Sequence, residues 1–419
     1  MQTLFFFILA AYLAVEAADH LLHLLNLRYL GRHGAEVPPG FTPHVDGETL
    51  AQMRDYTLAH GRLQRVESLV SASVTLLFLF GGLLNRVNTL ITAQDWSPVV
   101  SGVVFFLALV YADTLIKLPF SLYTTFSLEK RFGFSTMTPA LFVQDTVKSL
   151  LIGTLLLGVL LAVLLSLITA LPAIWWLAGW LFVLLYAIFL LYISPALIAP
   201  LFNRFSPIAD TSLEGRIKEI MARAGLTVNR VFSMDGSKRS KHSNAYFTGI
   251  GRLKKIVLFD TLLASHEDDE ILAILAHEAG HWKKKHILKM LAVSQLLSLL
   301  GFYAAHRLSA ENFLARLFML DIPSIHAQLL LAAFVGSLVL FPLKPLLALI
   351  SRRHEIEADD FAVQLTDMPG AMARGLMKLG LDNLANLHPH PWYAAVYYSH
   401  PPLAQRVQRL LSVQGDASG

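Results

Sequence analysis

The sequence predicts an all-α transmembrane protein of seven spans that carries a polar α+β region delivered in two pieces. Three observations predict it. Of the 419 residues, 55% are hydrophobic and only 15% charged, a balance far from that of a soluble domain. Seven stretches supply the about 20 residues of helix that a hydrocarbon core requires; they lie near residues 4–26, 66–86, 99–119, 149–169, 173–195, 287–307 and 325–350. Two long polar regions remain, 201–286 and 351–419. The chain therefore divides into a five-span membrane region (1–200), a polar region (201–286), a two-span hairpin (287–350) and a C-terminal polar region (351–419).

The first stretch, MQTLFFFILAAYLAVEAADH, lacks a positively charged lead-in and its helix pattern runs on past Ala18, so it reads as a retained span. The fourth, LLIGTLLLGVLLAVLLSLITAL, is uninterrupted. Lys and Arg set the orientation: Arg28, Arg32, Arg54, Arg62 and Arg65 lie between spans one and two, and Lys130, Arg131 and Lys148 between three and four. The stretch 88–98 and the turn at 170–172 hold none. The positive-inside rule then puts both polar regions in the cytoplasm and the N-terminus outside, with Trp175, Trp176 and Trp180 at the outer interface. Arg307 and Arg316 count against this, and they are few.

A net charge of +4 is too small to indicate nucleic acid. With no cysteine in the chain, a metal site must be built from His, Asp and Glu.

The first polar region opens with a helix pattern, DTSLEGRIKEIMARAGL, with Asp210 to Ser212 as cap candidates and Gly225 as a stop. Three strand-like runs follow, VNRVFSMD, NAYFTG and KKIVLFD, the last two joined through Gly249 to Arg252 as a hairpin. A helix from about Asp268 to His286 then carries LAHEAGHWKKKH. Residues four apart share a helix face, so His277 and His281 present two imidazoles to one ion, with Glu278 beside them. Zinc suits such N and O donors but wants three protein ligands and one open position.

The third ligand is expected in SRRHEIEADDFA, just after span seven. Two spans separate His281 from Glu355, an out-and-back hairpin that returns the chain to the side it left. Asp359, four residues on, suits acceptance of a ligating histidine's free ring N–H. Glu357 points elsewhere and reads as solvated. His354 is offset by one residue from Glu355 and His286 lies five past His281, so by spacing neither shares the metal-facing side. In span one, Glu16, Asp19, His20 and His23 form one polar stripe, which should face water or partners rather than lipid.

These motifs, with EKRFGFS (129–135), ISPALIAPLFNRFSPI (193–208), SNAYFTGIG (243–251) and YSHPPLAQRVQRL (398–410), resemble the CAAX prenyl protease type I, or Ste24-like, integral-membrane metallopeptidases of family M48. The resemblance implies a seven-span helical barrel around a water-filled chamber, capped by a cytoplasmic gluzincin-like zinc metallopeptidase domain. It implies one Zn2+ per chain on His277, His281 and Glu355, with Glu278 as catalytic base. It also implies that Asn244 binds substrate and that His400 and Arg406 face substrate or support the transition state. The expected partners are peptide or protein substrates, prenylated or otherwise membrane-associated, and the bilayer itself, which in a bacterium is the inner membrane. A quality-control protease without prenyl dependence, and a non-hydrolytic lipid- or peptide-binding chamber, are the alternatives. The second would require a lost base or a fourth ligand, and Glu278 is intact.

Overall fold

Several apolar runs in this chain become helices longer than a bilayer needs, because they continue into polar residues outside the apolar stretch. The computed structural model describes residues 1–42, 44–248 and 254–417. The membrane part consists of α1 (Gln2–His33), α2 (Gly47–Leu79), α3 (Leu83–Thr92), α4 (Pro98–Tyr123), α5 (Pro139–Ala170) and α6 (Trp175–Ile193). After the first polar region come α9 (His286–Ser309), α10 (Ile325–Leu340) and α11 (Lys344–Thr366), numbered to follow α7 and α8 below. Among the described residues, six helical runs are long and apolar enough to cross a membrane, and the bent pair α2–α3 makes seven.

That pair departs from the expected continuous span over 66–86. Gly82 takes φ 82°, a left-handed conformation that glycine adopts without a Cβ clash, and the axis bends by 59°. Span seven is also interrupted, by a 3-10 turn at Phe341–Leu343, but there α10 and α11 continue as one 42-residue run into the polar part of the molecule. Trp175 sits against Phe302 and His306 of α9 and is buried, and the Trp180 indole donates to the Gln295 carbonyl at 3.1 Å. These two rings serve helix packing.

The polar part contains β1 (Phe205–Pro207), α7 (Thr211–Arg223), β2 (Val228–Met234), β3 (Ala245–Thr248), β4 (Lys254–Phe259), α8 (Asp268–Lys283), α12 (Pro369–Asp382), α13 (Pro391–Tyr397) and α14 (Leu403–Ala417). Asp210 caps α7 by accepting from the Ser212 and Leu213 amides. The sheet order is β1-β2-β4-β3, with β2 and β4 parallel and the outer pairs antiparallel. Strands β3 and β4 pair as a hairpin would; its turn, Gly249 to Arg252, lies outside the described residues. β3 is an edge strand.

Leu213, Ile217 and Met221 of α7, Val231 of β2 and Ile256 and Leu258 of β4 bury their apolar faces against Ile271, Leu275 and Ala279 of α8. A second core joins the two parts of the molecule: Phe41, Leu50 and Met53 from the segment before and within α2 pack with Met372, Leu376 and Val407. The seam is also polar. The Glu129 carboxylate accepts from the Tyr56 hydroxyl at 2.8 Å and lies 2.7 Å from His60 Nε2 and 3.3 Å from His242 Nε2. Arg239 grips both Asp145 oxygens, at 2.7 and 3.1 Å, beside a bridge between Ser135 and Ser240.

Candidate metal centre

α8 owes its position to a buried charge at one end and a small residue near the other. Glu270 accepts from the Glu267 amide at 2.9 Å, starting the helix, and Lys378 of α12 neutralises it at 2.8 Å. Near the C-terminal end α8 meets α11 so closely that a Cβ on Gly280 would stand 3.0 Å from the Ala358 Cα. That glycine–alanine contact brings a face of α8 bearing two histidines against a face of α11 bearing two carboxylates.

Across this contact His277 Nε2 and His281 Nε2 are 3.1 Å apart, and each is 3.3 Å from an oxygen of Glu355. Among the described residues these three form the one group of His, Asp or Glu side chains able to hold a metal ion. Buried Glu355 Oε2 has no hydrogen-bond partner. Three electron-pair donors facing one point, one of them unsatisfied, form an arrangement that a cation stabilises and that repels itself otherwise.

Around this set the neighbours are ordered. Asp359 Oδ1 lies 2.8 Å from His277 Nδ1. Arg406 donates to both Asp359 oxygens, at 2.9 and 2.6 Å, with Nη1 3.7 Å from Glu355. Burial would lower the Arg406 pKa, but the hydrogen bonds it donates to Asp359 hold it above its ordinary value. Arg406 is 9% exposed: its guanidinium is spent on Asp359, so support for the His277 side is its first structural task. His400 Nε2 is 3.3 Å from Glu355, its ring is more than half exposed, and its Nδ1 is 2.8 Å from the Ser399 hydroxyl. Glu278 stands beside the two imidazoles. Burial pushes its carboxyl up from the ordinary value, the histidines pull it back in part and Glu355 pushes it up again. A carboxylate so raised is a better proton acceptor near neutrality. Asn244 stands exposed at the start of β3, its side chain accepting from the Ala245 amide at 2.8 Å.

Three features went unread in the sequence. Arg352, three residues before Glu355, donates to the carbonyls of Ala394, Ala395 and Tyr398 at 3.0, 3.2 and 2.9 Å, capping α13 and holding the loop that leads to His400. The first Arg of SRRHE is the only local signal for it. The Glu129 cluster draws on three distant segments and leaves no local pattern. His286 returns to the site because α8 stops at Lys284, Lys285 adopts φ 58° and His286 opens α9. No glycine or proline announces that break.

A cavity of about 410 Å³ lies beside His400 and Arg406. Through Asn383 and Asn386 it shares its wall with a second, of about 290 Å³, which shares His23 and Tyr393 with a third of about 380 Å³. The third is lined by Asp19, His20 and His23 of the α1 stripe together with Gln64, Arg65 and Ser68. The stripe thus faces a polar cavity, and Tyr397 bonds Asp19 across it at 2.5 Å.

Two family descriptions match this chain, "CAAX prenyl protease N-terminal, five membrane helices" over residues 26–204 and "Peptidase family M48" over 207–414. The chain belongs to peptidase family M48. This M48 chain is 33% identical to "CAAX prenyl protease 1" of Saccharomyces cerevisiae, over 93% of this chain and 91% of the yeast protein. It is 32% identical to the human "CAAX prenyl protease 1 homolog", over 90% and 89% of the two chains. The crystal structure of Ste24p from S. mikatae superposes with a TM-score of 0.89 at 30% identity, over 96% of this chain and 98% of that one. This M48 protein is a multi-pass membrane metallopeptidase.

Proposed function

We propose that this M48 peptidase uses one zinc ion, held by His277, His281 and Glu355, to cleave membrane-associated chains near a lipidated C-terminus. The observation that carries the reading is the convergence of donor atoms: the two Nε2 atoms 3.1 Å apart, with Glu355 Oε2 3.3 Å from His277 and Oε1 3.3 Å from His281. Two ligands of a tetrahedral zinc at roughly 2.0–2.1 Å stand about 3.3 Å apart, so the residues fit this ion. The names of the yeast and human relatives support the substrate class.

A bound zinc would supply Lewis acidity to the scissile carbonyl and lower the pKa of the attacking water. Glu278 takes that water's proton and returns it to the leaving amine. His400, on the exposed side of Glu355, offers its ring N–H to the oxyanion that develops on the carbonyl. Asp359 holds the His277 ring by its Nδ1–H, and Arg406 holds Asp359. The substrate main chain pairs with the edge of β3 beginning at Asn244, which favours an extended peptide and reads its side chains loosely.

The test compares a quenched farnesylated peptide with its unprenylated twin, using wild-type protein and Glu278→Gln with zinc content measured in both. Wild type cleaves, and the variant keeps its zinc and loses about 10²–10⁴-fold in kcat. A fully active variant sinks the base assignment. Equal rates on the two peptides replace lipid-dependent processing with sequence-tolerant cleavage of membrane-bound chains.

The same reading puts the catalytic region in the cytoplasm, on the strength of the lysine and arginine distribution between spans. Because the chain has no cysteine, a single cysteine at Ser237 reports directly: labelling from the opposite face of a sealed vesicle overturns the orientation.

A further inference from the structure

We infer that His286 and Glu357 form a positioning relay for His281, setting its tautomer and strengthening its hold on the metal. The inference rests on the reading of His277, His281 and Glu355 as ligands. His281 directs Nε2 at the other two donor atoms, so ligation there leaves its proton on Nδ1. Nδ1 lies 3.1 Å from His286 Nδ1, which must accept that proton's hydrogen bond. His286 then carries its own proton on Nε2, 3.1 Å from Glu357 Oε2, and a carboxylate only accepts. One tautomer of each ring satisfies the whole chain of contacts.

The His286 ring is fixed for this task. It is 2% exposed and stacks on His354 at 4.1 Å with planes 9° apart. On an unbroken helix a residue five after His281 would lie about 140° around the axis. The left-handed Lys285 redirects the chain and returns the ring to His281.

The two ligating histidines are therefore supported differently. His277 meets its carboxylate, Asp359, directly, and Asp359 is buried with Arg406. His281 meets its carboxylate through an intervening imidazole, and Glu357 is 47% exposed.

The experiment measures the zinc dissociation constant of the full-length protein against a chromophoric chelator, with the visible spectrum of the cobalt-loaded protein as a second readout. His286→Leu weakens zinc binding by about 10–100-fold and alters the cobalt spectrum. His286→Gln keeps an acceptor for His281 and restores most of the affinity. Glu357→Gln costs a smaller factor, roughly 2–5-fold, and costs nothing further in the His286→Leu background. Affinity within twofold of wild type in His286→Leu overturns the relay, and so does a Glu357→Gln effect that persists without His286. If His286→Leu does not fold, Glu357→Gln decides alone: unchanged affinity overturns the relay. His281→Ala separates the two layers, because tight zinc binding by that variant refutes the ligand reading itself.

Discussion

The membrane helices and α8 bury apolar residues by different means. In the most apolar window of each single-helix span, between none and 17% of residues are buried within the molecule. In α8, ten of sixteen residues are buried by other parts of the protein. Lipid tails accept any apolar side chain of any shape, so a span needs hydropathy and length. The interior around α8 is close-packed and needs shape, down to the glycine at 280. Substitutions should therefore hurt most at buried charges, next at helix contacts, and least on the outer faces of the spans.

The largest effect expected is from Asp359→Ala, which strands buried Arg406 without its partner. Removing one member of such a pair costs about 3–5 kcal/mol, so thermal unfolding of the solubilised protein should show a steep loss of stability along with loss of metal. A wild-type melting curve would mean that water reaches this pair and that the site is less closed than its exposure indicates.

Gly280→Ala comes next. Its Cβ meets Ala358 Cα at 3.0 Å, and overpacking of this kind costs about 1–3 kcal/mol, against a gain of about 1 kcal/mol in helix propensity. Metal affinity should fall as α11 is pushed away, and Ala358→Gly in the same chain should restore little of it, because the two nearest atoms are the backbone Cα and carbonyl oxygen of residue 358, at 3.0 and 3.1 Å. The matched control is Leu155→Ala in α5, where the side chain is 68% exposed; stability should move by no more than about 0.5 kcal/mol. A larger loss there would break the contrast between the two parts.

The smallest effect tests the seam. The hydrogen bond to Glu129 raises the His242 pKa above its ordinary value, although burial opposes this. Its contribution to stability is therefore complete below the ordinary histidine value of about 6.5 and is lost as pH rises through the folded-state value. The melting temperature should fall over that interval in wild type and fall less in His242→Gln. Equal slopes would show that His242 is not charged in the folded protein.

Much of this was legible in the sequence, for reasons the two parts make plain. The stretch 149–169 reads as a span because hydropathy alone decides it. His277 and His281 read as a pair because helix periodicity puts residues four apart on one face, and Glu355 followed from counting the spans between. The break at Gly82 was missed because the apolar run continues across it. The placement of His286 was missed because a left-handed lysine carries no compositional mark. For Arg406 the resemblance implies a place facing substrate or supporting the transition state; its pairing with Asp359 has no local mark, because it depends on α14 and α11 meeting across 47 residues of sequence. β1, three residues long, is too short for any alternation to show.

One feature of α11 sets how the centre can come apart. Arg352, which holds the loop leading to His400, and Glu355 stand one turn apart on that helix, and with α10 it forms a single run that begins in the bilayer. A tilt of this rod carries the carboxylate and the loop of His400 together, and with them Asp359 and Glu357, on which the two imidazoles of α8 depend. The centre thus has one seam, along Gly280 and Ala358, and the helix on each side of it is tied both to the peptidase core and to a membrane span.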